Sequence, residues 1–218
     1  MSKKFDLLVF DWDGTLVDSA SVIVLSIQGA ARDMGLTEPS NDEARHVIGL
    51  GLSEAIEYLF PDLPLQKLRL LTDRYRYHYL AHDQEISLYE GIIEIIKTLH
   101  AENFLLAVAT GKSRAGLNRS FVSSGLGDYF HASRCADETF SKPHPAMLLE
   151  LISEFGVKTD RTLMIGDTSH DLQMAINARV PGLGVTYGAH PREKLESLVP
   201  LACIENVMKL RSWLNTNI

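Results

Sequence analysis

The chain has 218 residues, 45% apolar and 22% charged, the balance of an ordinary water-soluble protein long enough to bury its own core. A net charge of −7 argues against a surface for nucleic acid or anionic membrane, and no apolar run reaches membrane-spanning length. Cys135 and Cys203 lack metal-type spacing, and the N-terminus has too short an apolar run for a signal peptide, so a soluble, cytoplasmic protein with reduced thiols is expected.

The first element is the apolar run Leu7-Leu8-Val9-Phe10, which reads as a buried central strand of a parallel sheet. It ends in Asp11-Trp12-Asp13-Gly14-Thr15. As the pleat relaxes beyond the strand, Asp11 and Asp13 can face one crevice. Two anions this close repel unless a cation sits between them, and Mg²⁺ typically uses one or two carboxylates plus phosphate oxygens. Taken alone, Asp-x-Asp-Gly is equally a polar turn.

The period then changes. Ser19 to Met34, Asn41 to Val47, Ser53 to Phe60 and Leu65 to His82 all read as helices separated by Gly or Pro, with no strand between Leu16 and Ile86. This predicts an all-helical domain at residues 18–85, inserted into a core made of residues 1–17 and 86–218.

From Gly91 the alternation resumes. Ile92 to Leu99 is an amphipathic helix, Phe104 to Ala109 a buried strand, and Arg114 to Ser124 a helix stopped by Gly125. Tyr129 to Ser133 is a short strand, Pro145 to Phe155 a helix, Thr162 to Ile165 a strand, Asp171 to Ala178 a helix and Leu183 to Thr186 a strand. The pattern is that of an α/β fold with a doubly wound, Rossmann-like parallel sheet.

Polar sets close three of these strands: Asp11 with Asp13, Thr110-Gly111-Lys112, and Asp167 with Asp171. A fourth set, Ser141-Lys142-Pro143-His144-Pro145, precedes a helix. Strand ends of a parallel sheet converge on one edge, so the sets can meet. Carboxylate pairs with hydroxyl, amide and ammonium donors suit a dianion held by a divalent metal, the equipment of phosphoryl transfer. Each set also has a plainer reading. Thr110-Gly111 is a common strand-to-helix turn, Lys142 a solvated loop lysine, and Asp167 or Asp171 a helix cap.

Taken together and in this order, the motifs resemble those of the haloacid dehalogenase superfamily, in the branch with a helical cap. Asp11-Trp12-Asp13-Gly14-Thr15 matches its first motif, Thr110 its second, Lys142 its third and Gly166-Asp167-Thr168-Ser169-His170-Asp171 its fourth. Gly111 departs from the pattern, in which Asn is commoner. The resemblance implies a phosphatase similar to phosphoglycolate phosphatases, acting on a small phosphorylated metabolite. It implies Asp11 as nucleophile and Asp13 as general acid and base. It further implies Mg²⁺ held by the carboxylates of Asp11 and Asp167 and the backbone carbonyl of Asp13, with Asp171 steadying its water shell. Thr110 and the Gly111 amide would grip phosphoryl oxygens, and Lys142 would hold Asp11. An acid two residues after the nucleophile favours an alcohol leaving from phosphorus over halide leaving from carbon. Two alternatives are a phosphohexomutase of the same architecture and a catalytically silent binding member.

In the helical insert, Gly49-Leu50-Gly51 resembles the cap loop that reaches over the site in phosphoglycolate-phosphatase-like members, or is a simple helix break. Arg45 and His46 could meet a substrate carboxylate or face water. His78 and His82 are four apart but lack a third ligand, and Tyr75, Tyr77 and Tyr79 read as packing of the cap or its rim. No nucleic-acid or membrane partner is expected. A monomer and a homodimer both remain open.

Overall fold

Alternation along the central strands sends successive side chains into two separate apolar layers. The computed structural model describes residues 3–218. Strand β1 (Leu7–Phe10) is followed by four helices, α1 (Ala20–Asp33), α2 (Asn41–His46), α3 (Leu52–Leu59) and α4 (Leu65–His82). Next come α5 (Ile92–Ala101), β2 (Leu105–Thr110), α6 (Arg114–Ser124), β3 (Ala132–Cys135) and α7 (Ala146–Phe155). The chain ends with β4 (Thr162–Gly166), α8 (Ser169–Ala178), β5 (Gly182–Val185), α9 (Arg192–Glu196), β6 (Cys203–Ile204) and α10 (Val207–Asn217). The strands form one parallel sheet in the order β3-β2-β1-β4-β5-β6, with Phe10 in register with Val108 on one side and Ile165 on the other.

Leu8, Phe10, Leu106, Val108, Leu163 and Ile165 face a layer built by α5, α6 and α10 through Ile92, Ile96, Leu117, Leu210 and Leu214. Leu7, Val9, Ala107, Ala109 and Met164 face α7 and α8 through Met147, Leu148, Leu151, Met174 and Ala175. Burial on both faces is why these strands read as unbroken apolar runs. Strand order reverses between β1 and β4, and in such sheets ligands bind outside the carboxyl ends at that switch point.

Helices α1 to α4 carry apolar clusters of their own. Ile23, Val24, Ile27, Ala44, Val47 and Ile48 form one, joined from the sheet domain by Ala189. Ala30, Ile56 and Leu71 form another. The two chain crossings into this unit run side by side: Asp18 N donates to Ser87 O at 2.9 Å and Tyr89 N to Leu16 O at 3.1 Å. Among the described residues no helix is long and apolar enough to cross a membrane.

Three expectations are corrected. The strand expected at Tyr129 to Ser133 is shifted along the chain: Gly127–Tyr129 forms a 3₁₀ turn and β3 runs over Ala132–Cys135. Phe130 instead packs its ring on Phe10, Trp12 and Phe121. Helix α8 starts at Ser169, before Asp171, because Thr168 is its N-cap and Asp171 closes a capping box with it. Finally, α9, β6 and α10 lie beyond the last expected strand; β6 has 2 residues, too few to show a period.

Candidate active site

Four core segments deliver charged side chains to the switch point. Asp11 follows β1, Asp167 follows β4, Asp171 sits in the first turn of α8, and Lys142 lies on the loop before α7. All four are buried. One oxygen each of Asp11, Asp167 and Asp171 lies within 4.8 Å of the others. Lys142 Nζ approaches Asp11 Oδ1 at 2.8 Å and Asp171 Oδ1 at 2.6 Å, contacts of charge rather than of well-aimed hydrogen bonds.

Most of the remaining oxygens are taken. Asp11 Oδ1 accepts from the Trp12 amide at 2.6 Å. Thr15 Oγ1 donates to Asp167 Oδ1 at 2.8 Å and the Ala189 amide to Asp167 Oδ2 at 2.7 Å. Thr168 donates to Asp171 Oδ2 through its amide, 3.0 Å, and its hydroxyl, 2.7 Å. Two buried oxygens have no hydrogen-bond partner among the described residues: Asp171 Oδ1, which lies in the ion pair with Lys142, and Asp11 Oδ2. Gly14 permits this crowding: it holds φ +76°, and a Cβ there would strike the Asp167 carboxylate.

Three carboxylates face one ammonium, and the protonation of Asp11 and Asp167 reflects it. Burial, then repulsion from Asp171, pushes Asp167 up to about 7. The same two causes raise Asp11 well above the usual carboxylate range, against the pull of Lys142. Burial opposes the charge on Lys142, but Asp11 and Asp171 outweigh it and hold the ammonium. An orphaned buried carboxylate oxygen among hard oxygen donors, with an excess of negative charge, fits a divalent cation such as Mg²⁺. Asp171 is the least open of the three, because Lys142 and Thr168 already engage both its oxygens.

Asp13 points elsewhere. Ser19 Oγ donates to its Oδ1 at 2.8 Å, and Lys112 Nζ reaches Oδ1 at 3.0 Å and Oδ2 at 3.1 Å. Its carboxylate is therefore outside the metal-type cluster, leaving its backbone carbonyl for the expected role. Lys112 also donates to Tyr79 Oη, 2.8 Å away on α4. The sequence places Lys112 in the polar set after β2 and Tyr79 among the tyrosines of the helical insert, but no spacing links the two; Tyr75 and Tyr79 stack at 5.8 Å on one face of α4. Tyr79 thus does more than pack the cap.

The segment Gly49-Leu50-Gly51 lies against the core loops. Gly51 N donates to Ser141 Oγ at 2.7 Å, and a Cβ on Gly111 would collide with the carbonyl oxygens of Gly49 and Leu50. Gly in place of the commoner Asn is thus the residue that lets this loop seat. Thr110 is buried at the end of β2, its Oγ1 accepting from the Lys112 amide at 3.2 Å. Arg45 is not gathered with these groups: half-buried at the end of α2, it has no ion pair among the described residues and is felt at Tyr89.

A second cluster joins cap to core. His170 Nε2 and His190 Nε2 lie 2.8 and 3.1 Å from the backbone carbonyl of His46, and Lys194 Nζ contacts His46 Nδ1. His190 Nδ1 accepts the Ser169 amide at 2.9 Å, which assigns its proton to Nε2 as donor. Burial, then Lys194, lowers His190 to about 3, so it stays neutral. With both ring nitrogens used and an ammonium alongside, this is a clasp rather than a metal site. His78 and His82 go to separate carboxylates, Asp33 and Glu85.

A doubly wound sheet with this carboxylate set at its switch point and a helical insert after β1 defines the class. The family model described as Haloacid dehalogenase-like hydrolase matches residues 8–185, and the chain belongs to that family. It is 35% identical over 188 residues to a phosphoglycolate phosphatase of Agrobacterium fabrum, covering 84% of this chain and 81% of that protein. It is 33% identical over 205 residues to a Dickeya dadantii protein named Probable phosphatase IndB, covering 91% and 89%. The fold matches a hydrolase from Pseudomonas syringae with a TM-score of 0.88 at 22% identity, over 97% of this chain and 98% of that one. Within its family the chain is a phosphatase.

Proposed function

We propose that this phosphatase is Mg²⁺-dependent and hydrolyses a small, phosphoglycolate-like phosphomonoester through an aspartyl-phosphate at Asp11. The observation that carries the reading is the buried Asp11 carboxylate, one oxygen held by Lys142 and the Trp12 amide and the other unpartnered. In the first step the Asp11 carboxylate attacks phosphorus, the ester P–O bond breaks, and Asp13 gives its proton to the departing alcohol oxygen. In the second, water attacks the phosphorus of the aspartyl-phosphate, the bond to Asp11 breaks, and Asp13 takes the proton from that water. Thr110 and the amide of Gly111 steady the phosphoryl oxygens, and Lys142 offsets their charge while keeping Asp11 in line. Asp11 and Asp167 would hold Mg²⁺ with the Asp13 carbonyl, Asp171 buttressing them; when bound, the cation neutralises charge on the phosphoryl group. The helical unit of residues 18–85 acts as a cap over this floor, with Gly49 and Gly51 on its contact loop and Arg45 at its rim.

The test is phosphate release from a panel of small esters, phosphoglycolate and hexose phosphates included, with Mg²⁺ and with EDTA, for the wild type and Asp11→Asn. Release should need the metal and fall on the order of 10⁴-fold or more in the variant, whose circular dichroism stays native. Retained turnover in Asp11→Asn overturns the mechanism. Conversion of one hexose phosphate isomer into another without release makes the enzyme a mutase.

A further inference from the structure

The phosphatase mechanism above uses Lys142 but leaves a second buried lysine without a task. Lys112 has a side chain only 9% exposed, enclosed by the Asp13 carboxylate and by Tyr79, its Nζ 4.8 Å from the centre of the Tyr79 ring. An ammonium taken out of water is costly unless it is paired, and here the pairing falls entirely on Asp13. Asp13 is also the group that must serve the leaving oxygen. Both its oxygens now engage Lys112, so turning one toward the scissile bond loosens that pair. The ammonium then needs another anion, in a place where water is largely excluded.

We propose that Lys112 and Tyr79 are the seat of a second negative charge, carried by the leaving group of the substrate. The two lysines divide the work by position. Lys142 lies between Asp11 and Asp171, wholly enclosed on the phosphoryl side. Lys112 pairs with Asp13, the group assigned to serve the departing alcohol, and touches α4 through Tyr79. Tyr79 adds a hydroxyl whose oxygen already accepts from Lys112 and whose proton is free to be donated to an anion at the same spot. Because Lys112 belongs to the core loop after β2 and Tyr79 to α4, a substrate anion between them ties cap to core.

The chemical class follows from reach. A carboxylate or phosphate within a few bonds of the scissile oxygen fits, as in the phosphate ester of a short hydroxy acid or in pyrophosphate. A hexose phosphate brings only hydroxyls and leaves the ammonium unpaired. This inference rests on the phosphatase reading and deepens it by assigning the residues that select the substrate.

The experiment compares kcat/KM for phosphoglycolate with that for 2-hydroxyethyl phosphate, an ester of similar length with a neutral hydroxyl in place of the carboxylate. Wild-type enzyme, Lys112→Met, Lys112→Gln and Tyr79→Phe are measured with Mg²⁺, and p-nitrophenyl phosphate reports whether each variant still turns over. The wild type should prefer the carboxylate ester, and either lysine variant should shrink that preference at least about tenfold. Tyr79→Phe should shrink it several-fold in the same direction. A wild type without preference, or variants that lose both esters in equal proportion, overturns the proposal while leaving the phosphatase reading intact. No release by the wild type from any ester, p-nitrophenyl phosphate included, overturns both.

Discussion

The floor of the site and the seam between cap and core are held by opposite means. The floor (Asp11, Thr110, Lys142, Asp167 and Asp171) is buried and carried by β1, β2, β4, α8 and the loop before α7. Its charges are locked by neighbours that the sheet itself positions, so it is organised before any substrate arrives. The seam combines a few polar contacts, Gly51 on Ser141, Tyr79 on Lys112 and the His46 carbonyl under two core imidazoles, with the apolar contact of Ala189. Contacts of this kind, fewer than those inside either apolar core, suit the cap movement that the proposed function calls for. In the proposed mechanism the chemistry falls to the buried floor, and the proposed anion seat at Lys112 and Tyr79 puts selection at the seam.

Breaking the floor should therefore cost both stability and turnover. Lys142→Met removes the one ammonium among three carboxylates and leaves them to repel in a buried space. Removing one partner of a buried ion cluster costs about 3–5 kcal/mol. In a chain of this length that lowers the melting temperature by roughly 6–20 °C, measurable by thermal unfolding in EDTA. Phosphate release should vanish at the same time. An unchanged melting temperature would mean the floor is not under this electrostatic load.

Metal and pH sharpen the same half. Asp167, at about 7 when folded, holds its proton more firmly than in the unfolded chain, so the folded state binds more protons between about 4 and 7. Without metal, this group loses stability as pH rises through that window. His190 works the other way, since burial lowers it to about 3 and its contribution grows as pH rises toward 6.5. Comparing melting with and without Mg²⁺ at each pH cancels the histidine and isolates the carboxylates. The gain from millimolar Mg²⁺ should increase from pH 5 to pH 7.5, by at most a few kcal/mol, as ligands give up their protons. A gain independent of pH would separate the metal from this cluster.

The two halves also differ in how far they are legible in sequence. The central strands show as apolar runs because both faces are buried, whereas β3 at the edge is only half-buried and is displaced by the aromatic packing of Phe130. The approach of Asp11 to Asp167 and Asp171 follows from the sequence pattern, because strand ends of a parallel sheet must converge, whereas Lys142 arrives from the loop before α7. The seam follows from no such pattern. Lys112 and Tyr79 are 33 positions apart and Gly51 and Ser141 90 apart, and no periodicity links a cap helix to a core loop. The histidine clasp is hidden for the same reason, its anchor being a backbone carbonyl. Gly111 is visible as a departure, yet its reason, the approach of Gly49 and Leu50, lies in the partner segment.

Gly111→Ala tests that approach directly. The added Cβ meets two carbonyl oxygens of the cap loop, and backbone cannot yield as a side-chain tip does. The loop must lift, while the strand end below keeps its place. Misplacement on the order of 1 Å near a reacting group costs about 10²-fold, so kcat/KM should fall roughly 10- to 100-fold with a near-native melting temperature. Unchanged kinetics would mean that the working enzyme does not seat the loop here.

Ser141→Ala should give the smallest effect and the cleanest separation of seam from floor. Ser141 neighbours Lys142 in sequence, yet its hydroxyl serves the other half of the molecule, accepting the Gly51 amide at the N-cap of α3. With the cap open, that amide turns to water and loses nothing by the substitution. With the cap closed it is left without an acceptor, so the penalty falls on closure alone. One such hydrogen bond contributes about 0.5–1.5 kcal/mol, which predicts a drop of roughly two- to tenfold in kcat/KM and almost no change in melting temperature. Ser141→Thr keeps the acceptor and should recover most of the loss. A fall in stability with no kinetic change would instead place Ser141 with the floor, as a support for Lys142, and would erase the division between the two halves at this loop.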